Sequence, residues 1–262
     1  FYLCKVWRRA AAAAYRTDGS LQELPNARIS YKCLDQVCYR GVTQADAVGA
    51  MLPTTFPQCS DGLLMAEKEG YHQGELPLST NSAEGEVVVY LEPIKEVAVE
   101  VKVSDNKQQR APYATEKIFI TVENQEKKYS TSILYPDQKT VRLIPGDYVV
   151  TSRVIVENAG SFSFPETEIE VCNDLPQKGI LGIAGLTSRK CIKQKIEATE
   201  LEQIVGGGAT TSWSIARGAL AGAQKVIFYT IRGPTPRSLE EVSKVYEAIQ
   251  QQNNEVNKPI LQ

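Results

Sequence analysis

Apolar and polar residues alternate along most of this chain, which is the pattern of half-buried β-strands. Four valines occupy every second position between residues 97 and 103, and residues 27–33 alternate in the same way. Because successive side chains of a strand point to opposite faces of its sheet, such runs bury one face and expose the other. The pattern predicts a mainly β protein with antiparallel sheets.

The C-terminal part departs from this pattern. Apolar residues recur at helical spacing from Leu239 to Ile249, and Ser238 with Glu241 forms a capping box, which predicts an amphipathic helix at 238–252. Elsewhere the runs between turn-forming residues predict strands. These lie at residues 63–66, 87–92, 117–122, 140–144, 147–156, 168–172, 191–198, 212–216 and 226–231.

Two turn motifs are candidates for structural roles. Gly70-Tyr71 ends one strand, and Pro145-Gly146 stands two residues before Tyr148. Because glycine tolerates positive φ, Pro-Gly predicts a type II turn in a hairpin. We expect both tyrosines to be buried against their own sheets.

These motifs carry a family resemblance. Residues 66–71 read A-x-K-x-G-Y before a strand that ends in L-x-P at residues 91–93, and residues 143–148 read L-x-P-G-x-Y. The order closely resembles the prealbumin-like sandwich family that includes carboxypeptidase regulatory-like domains. The resemblance implies tandem Ig-like or prealbumin-like β-sandwiches of secreted or cell-surface proteins, which present surfaces and lack the zinc-carrying H-x-x-E of the peptidase domains they accompany.

Three domains are predicted. Residues 1–93 form a prealbumin-like sandwich with an N-terminal strand or anchor segment, residues 94–172 a second sandwich, and residues 173–262 a linker plus a β-rich domain that ends in the helix. Ala10–Ala14 is interpreted as a small-residue connector, and residues 173–189 as a linker or irregular loop. Gly206–Gly208 is interpreted as a flexible hairpin connection, because it lacks the phosphate-loop pattern G-x-x-x-x-G-K-S/T.

Charge and hydropathy exclude some partners. The chain has 29 Lys and Arg against 31 Asp and Glu, so its net charge of −2 provides no field for nucleic acid or an anionic membrane. Residues 1–9 fit a first β-strand or the end of a membrane helix. Because a spanning helix needs about twenty apolar residues, any such anchor lies mostly upstream of Phe1.

Six cysteines permit three disulfides in fifteen arrangements. They stand at positions 4, 33, 38, 59, 172 and 191, with no C-x-x-C pair and a single histidine, His72. A zinc site is therefore disfavoured. Disulfides indicate an extracellular or cell-surface location, unless the source is a hyperthermophile. The preferred pairs are Cys172–Cys191, which end one strand and begin the next, Cys38–Cys59 and Cys4–Cys33.

The chain offers few groups for catalysis. His72 directly follows the Gly70-Tyr71 turn, where an exposed polar residue is expected, and no motif for a cofactor or a metal is present. A pair of carboxylates in a cleft would suffice for a glycosidase, and the sequence does not exclude that arrangement. Two tryptophans and twelve tyrosines fit core packing better than a sugar platform.

The sequence therefore predicts a non-enzymatic extracellular structural or adhesive protein. Its expected partners are proteins, as a homo-oligomer, a surface filament or a membrane-anchored assembly that uses sandwich edges for contacts. The alternative is a carbohydrate- or peptide-binding accessory module of a secreted enzyme or membrane complex.

Overall fold

The computed structural model describes residues 5–15, 20–45, 49–81, 85–105, 108–164, 167–176, 187–196, 199–250 and 256–262. Within these ranges the chain is mainly β, with several antiparallel sheets and a helix near the C-terminus. The predicted fold class is confirmed.

The elements follow one another along the chain in this order. The strands of the N-terminal part are β1 (Lys5–Tyr15), β2 (Leu21–Glu23), β3 (Arg28–Cys33), β4 (Gln36–Val42), β5 (Gln44–Ala45), β6 (Ala50–Pro57), β7 (Gly62–Glu67), β8 (Tyr71–His72), β9 (Gly74–Leu78) and β10 (Gly85–Pro93). The remaining strands are β11 (Lys95–Asp105), β12 (Gln108–Arg110), β13 (Glu116–Asn124), β14 (Tyr129–Tyr135), β15 (Thr140–Leu143), β16 (Gly146–Phe164), β17 (Thr167–Pro176), β18 (Thr187–Ile196), β19 (Thr199–Ile215), β20 (Lys225–Ile231) and β21 (Ile260–Leu261). The helices are α1 (Arg217–Gly222) and α2 (Leu239–Gln250).

Strands β1 to β10 form a first sandwich of two sheets. One sheet has the order β5-β6-β1-β10-β8, with β2 beside β1, and the other has the order β4-β3-β7-β9. Tyr31 and Leu64 of the smaller sheet share a core with Phe56 and Leu91 of the larger one. The rings of Tyr31 and Phe56 lie 5.1 Å apart between centroids. This core joins the two sheets.

The alanine run is a strand and not the predicted connector. Ala10–Ala14 lies within β1, which pairs in parallel with β10 and antiparallel with β6. Ala10 and Ala13 are buried. Packing against both neighbours outweighs the low intrinsic β-propensity of alanine. The first strand predicted at residues 1–9 is confirmed for residues 5–9, and it lies in the interior of its sheet.

Strands β11 to β16 and β19 to β21 form a second sandwich. One sheet has the order β12-β11-β20-β21, with β15 beside β11, and the other has the order β14-β13-β16-β19. Alternate residues of β11 and β13 face the shared core, which also contains Trp213 and Phe228 with their rings 5.9 Å apart. This is the period-two burial that the valine pattern predicts.

The second core does not follow the predicted division at residue 172. Strand β11 from the predicted second domain pairs in parallel with β20 from the predicted third, and β16 pairs with β19. These strands are distant in sequence, so local patterns of apolar and polar residues do not predict their pairing. Residues 97 to 228 contribute to one core, whereas residues 10 to 91 contribute to the other.

The glycine triplet also lies inside a strand and not in a hairpin connection. Gly206–Gly208 belongs to β19, and Gly207 has a φ of 149° and bridges to Arg232. A Cβ atom on Gly207 would lie 2.3 Å from the carbonyl oxygen of Ile231. The close approach of the end of β20 therefore requires glycine here.

The predicted helix is confirmed as α2. The backbone N–H of Glu241 donates to Ser238 Oγ at 3.2 Å, as in a capping box. The Glu241 carboxylate accepts from the backbone N–H of Arg237 at 2.6 Å. Ile249 is buried, and it packs against Gly208 where the helix contacts β19.

The disulfide pairing of the first sandwich differs from the prediction. Cys33 is bonded to Cys59, with their Cα atoms 6.1 Å apart, and Cys38 carries a free thiol. The predicted pairs Cys38–Cys59 and Cys4–Cys33 are therefore wrong. Cys33 ends β3 beside the segment that follows β6, whereas Cys38 faces Tyr31 across the β3–β4 hairpin. Cys4 lies outside the described residues.

The predicted loop at residues 173–189 is partly strand. β17 extends to Pro176 and β18 begins at Thr187, and the register places Cys172 opposite Cys191. Directly opposed residues of antiparallel strands lie within the Cα separation that a disulfide spans. The Cys172–Cys191 disulfide stays a prediction, and the strand register supports it.

The Cys33–Cys59 bond should stabilise the first sandwich. It closes a loop of 26 residues, so the double variant C33A/C59A should lose about 3.5 kcal/mol of unfolding free energy in the chain-entropy picture. Urea unfolding measures this loss. The matched control Cys38→Ala removes the free thiol and should leave the stability within about 0.5 kcal/mol. A non-reducing peptide map that joins Cys38 to Cys59 would contradict the assignment.

Candidate functional site: the junction around Glu92

The Gly70-Tyr71 turn places His72 beside the last residues of β10. Gly70 has a φ of 82°, and its carbonyl accepts the backbone N–H of Ile94 at 2.8 Å. β8 then pairs with β10 so that His72 lies opposite Glu92. The turn thus holds the end of the first sandwich where the chain enters the second.

The Pro145-Gly146 motif is a crossover and not the predicted hairpin turn. β15 pairs with β11, whereas β16 pairs with β13 and β19, so the chain passes from one sheet of the second sandwich to the other. Gly146 has a φ of 145°, and a Cβ atom there would lie 2.3 Å from Asn124 Nδ2. Both the backbone conformation and the contact require glycine.

Tyr148 stabilises this crossover from inside the second core. Its hydroxyl donates to the carbonyl of Ile144 at 2.7 Å, and its ring centroid lies 6.1 Å from that of Trp213. Only 3% of Tyr148 is exposed, and burial raises its pKa well above the ordinary range. Tyr71 is half-buried against the first core.

Glu92 is held between two cations of the second sandwich. Its Oε1 accepts from Lys127 Nζ at 2.9 Å and from Arg217 Nη2 at 2.7 Å, and 17% of its side chain is exposed. Burial acts to raise the pKa of Glu92, but the hydrogen bonds and positive charges of Arg217 and Lys127 outweigh burial and lower it. Glu92 is therefore the anion at neutral pH.

Lys127 connects the two predicted turns. Its ammonium also donates to the carbonyl of Pro145 at 2.9 Å, and its own carbonyl accepts His72 Nε2–H at 2.8 Å. Because a carbonyl only accepts, His72 Nε2 must carry a proton. The His72 ring stands edge-on to Tyr129 at 5.3 Å between centroids. The histidine therefore has a structural partner in the second sandwich.

A cavity of about 510 Å³ opens at this junction. Acidic, basic and amide side chains line it together with Tyr90 and a few apolar residues, so it presents charges of both signs. The lining residues are Leu63, His72, Gln73, Gly74, Glu75, Pro77, Tyr90, Glu92, Glu126, Lys127 and Lys128. Across the described residues, no group of three or more His, Cys, Asp or Glu side chains is placed to hold a metal ion.

A second buried carboxylate lies at the other end of the second sandwich. Glu116 accepts from both terminal nitrogens of Arg110, at 2.7 and 2.9 Å, and from the backbone N–H of Tyr113 at 2.9 Å. Arg232 Nε lies 3.4 Å from it. This network joins β12, β13 and the end of β20, and both oxygens of the Glu116 carboxylate accept hydrogen bonds.

Comparisons with known proteins give no family. No protein family matches the chain, and no curated protein matches it. Among solved structures, the chain is similar to a leucine-rich repeat protein from Bacteroides thetaiotaomicron VPI-5482, at 12% identity and a TM-score of 0.23, covering 90% of this chain and 26% of that one. It is also similar to the shaft pilin SpaA from Lactobacillus rhamnosus GG, at 6% identity and a TM-score of 0.28, covering 89% and 99%.

A third similar structure is the pilus adhesin SpaC from Lactobacillus rhamnosus GG, at 13% identity and a TM-score of 0.22, covering 87% of this chain and 31% of that one. These neighbours are pilin, adhesin and repeat proteins rich in β-structure. Because the TM-scores are low, the fold described above rests on the strand pairing alone. In the described part of the chain, no helix has the length and apolar character needed to cross a bilayer.

The junction brings together the two turn motifs that the sequence predicts to be structural. The Pro145-Gly146 motif is a crossover there and not a hairpin turn. The carbonyl of Gly70 accepts from Ile94 where the chain enters the second sandwich, whereas Pro145 and Gly146 lie against Lys127. Sequence reasoning missed Glu92, Lys127 and Arg217. The available signal was the charged residue inside the L-x-P motif, since a carboxylate at the buried end of a strand needs a cationic partner.

Removing the charge of Glu92 should destabilise the junction. Glu92→Gln leaves two cations without their shared anion, but both are partly exposed, so we expect a loss of about 2 kcal/mol in unfolding free energy. Chemical denaturation at neutral pH measures it. The matched control Glu75→Gln changes two exposed contacts, the ion pair with Lys128 and the hydrogen bond from Gln73 Nε2 at 3.4 Å, and should cost at most about 0.5 kcal/mol.

The effect of Glu92→Gln should depend on pH. Because the folded-state pKa of Glu92 is lowered from its ordinary value of 4.5, its contribution is complete above pH 4.5 and disappears as the pH falls through the folded-state pKa. The difference in stability between wild type and variant should therefore shrink in acid. A difference that stays constant from neutral pH to strong acid would contradict the ion pairing.

The crossover should depend on Tyr148 more than the first turn depends on Tyr71. Tyr148→Ala removes a fully buried ring and should cost about 3–5 kcal/mol, whereas Tyr71→Ala at a half-buried site should cost less. Tyr148→Phe keeps the ring and loses the hydrogen bond to Ile144, for about 1 kcal/mol. Equal losses in thermal or urea unfolding for Tyr71→Ala and Tyr148→Ala would contradict the burial described here.

Proposed function

We propose that this chain is a non-enzymatic structural or adhesive subunit of an extracellular surface assembly. The observation that carries the proposal is the junction around Glu92, which links two β-sandwiches by an ion triad and backbone hydrogen bonds. Such a link suits a protein that holds two modules in fixed relation and presents their surfaces. Protein partners, above all further copies of the chain, follow from this role.

Most polar groups of the junction have structural partners, whereas the buried Oε2 of Glu92 has none among the described residues. Glu92 is kept as an anion by two cations, which makes it a poor general acid at neutral pH. His72 Nε2 donates to a backbone carbonyl, and Lys127 Nζ donates to Glu92 and Pro145. A nucleophile is activated by an adjacent general base that accepts its proton, by a lowered pKa or by a metal. These contacts favour a structural role for the junction over a catalytic one.

The Cys33–Cys59 disulfide supports an oxidising location. It joins the end of β3 in one sheet to the segment after β6 in the other, and disulfides of this kind persist outside the reducing cytosol. We therefore propose an extracellular or cell-surface location. The relation to carboxypeptidase regulatory-like domains remains a hypothesis based on the turn motifs, and an N-terminal membrane anchor remains one based on residues 1–9.

A second candidate is a ligand-binding accessory module. The specific observation that favours it is the junction cavity of about 510 Å³, which lies within the size range of small-molecule sites and carries charged groups and Tyr90. A carbohydrate or a short charged peptide fits such a lining. The architectural proposal is preferred because the central polar groups of this cavity already pair with one another.

Sedimentation velocity and electron microscopy of the full chain separate the two candidates. We expect concentration-dependent oligomers or ordered fibres without any added ligand. A chain that stays monomeric and whose melting temperature rises with a carbohydrate or peptide would favour the accessory module. Hydrolysis of a glycoside or peptide substrate by the wild type that is lost in both Glu92→Gln and His72→Ala would contradict the non-enzymatic role.

A further inference from the structure

Strand β4 (Gln36–Val42) is an open edge of the first sandwich. Within the described part of the chain it pairs only with β3, and no backbone hydrogen bond forms on its other side. The opposite edge of the same sheet, β9, contains Glu75 and Pro77, which are residue types that protect an edge from further pairing. The single charged residue of β4 is Arg40, whose guanidinium donates to Thr55 of β6. The open side of β4, called the β4 edge, is therefore neutral.

Exposed apolar side chains gather at the β4 edge. Eight large apolar residues are exposed among the described residues, and three of them lie within residues 34–39. Leu34 at the tip of the β3–β4 hairpin is 81% exposed, Val37 is 57% exposed and Tyr39 is 55% exposed. Apolar side chains beside free backbone groups are typical of a strand that accepts another strand.

The exposed apolar pair of β4 is symmetric about Cys38. Val37 and Tyr39 share the outer face of the sheet, because alternate residues of a strand lie on one face. Cys38 lies between them and faces the core side, opposite the buried Tyr31. The register with β3 shifts at Arg40, so the regular part of the edge ends at Tyr39.

We propose that the β4 edge pairs in antiparallel fashion with the β4 edge of a second copy of this chain, about a two-fold axis at Cys38. Val37 of each copy then lies opposite Tyr39 of the other, and such pairs of a β-branched with an aromatic residue are favourable. A shift by one residue would place outer-face residues opposite core-face residues. The contact is isologous, and it joins two four-stranded sheets into one of eight strands.

The inference rests on the proposed homo-oligomeric assembly and names one of its contacts. An open edge accepts an extended strand, and the neutral β4 edge has no charge that would attract a charged macromolecule. A second copy supplies an open strand whose apolar positions match and whose register opposes no like charges. Because few residues pair, the contact is smaller than the roughly 1,200–2,000 Å² of a stable complex. It therefore acts together with other contacts of the assembly.

The Cys38 thiol, which is free in the chain, allows this contact to be trapped. Directly opposed residues of antiparallel strands have Cα atoms about 4.5–5.5 Å apart, which a disulfide spans. With oxidised glutathione, one Cys38 thiolate displaces a glutathione and forms a mixed disulfide. The Cys38 thiolate of the second copy then displaces the other glutathione. Two protein thiols thus become one disulfide between copies, and the oxidant becomes two molecules of reduced glutathione.

Two charge variants of the full chain test the register. V37K/Y39K opposes lysine with lysine in both pairs and should slow the trapping at least about tenfold, because like charges directly opposite are unfavourable. The matched variant V37K/Y39E keeps the same lysine, opposes it with glutamate, and should be trapped within about threefold of wild type. A register shifted by two residues would oppose like charges in V37K/Y39E and slow its trapping as well.

The trapped dimer is measured on non-reducing gels, and peptide mapping of a mixture of light and heavy isotope-labelled protein identifies a Cys38–Cys38 bond between copies. Each trapping rate is divided by the rate at which iodoacetamide alkylates Cys38, since neighbouring charges alter the reactivity of a thiol. Urea midpoints close to that of wild type show that the variants are folded.

Two results would overturn the β4 contact. If wild type assembles in sedimentation velocity but the three proteins are trapped equally, or Cys38 is found joined to Cys4 of the same chain, the β4 contact is wrong and the proposed function stands. Wild type that stays monomeric at its highest soluble concentration and forms no Cys38–Cys38 bond would overturn both.

Discussion

The carboxylate of Glu92 connects the two sandwiches, and the geometry of the junction depends on it. It lies at the end of β10 in the first sandwich, and its two cations belong to the second: Lys127 follows β13, and Arg217 begins α1. Removing a carboxylate from water is costly, and this cost is offset only when both cations approach. The ion triad therefore favours one relative arrangement of the two cores.

The same residues explain why two unrelated turns meet at one place. Lys127 uses its side chain to reach Glu92 and Pro145, and its backbone carbonyl to reach His72. The Pro145-Gly146 crossover is in turn fixed by Tyr148 inside the second core. Changes in the first sandwich are thus connected to the second core through hydrogen bonds and not only through the chain at Pro93.

Residues with strong local patterns were predictable from sequence. The valines of β11 alternate as a half-buried strand must, and Ser238 caps α2 as its spacing with Glu241 predicts. The alanines of β1 and the glycines of β19 were misread because their local preferences oppose a strand. In both cases close packing with distant segments decides the structure, and a single sequence contains no record of that packing.

Contacts between segments far apart in the sequence were the other feature that the sequence did not predict. The parallel pairing of β11 with β20 and the bond between Cys33 and Cys59 join segments whose contact depends on the whole topology. Six cysteines permit fifteen arrangements, so spacing alone does not select one. The ion triad was missed for the same reason, since Arg217 lies 125 positions from Glu92 in the chain.

Hydrogen exchange measured by mass spectrometry tests most directly whether the two sandwiches form one cooperative unit. If Glu92 couples the cores, the slowest amides of β3 and of β13 should exchange with the same opening free energy in wild type. In Glu92→Gln, the amides of β3 should exchange through a separate and smaller opening. Different opening free energies for the two cores already in wild type, unchanged by the substitution, would contradict the account.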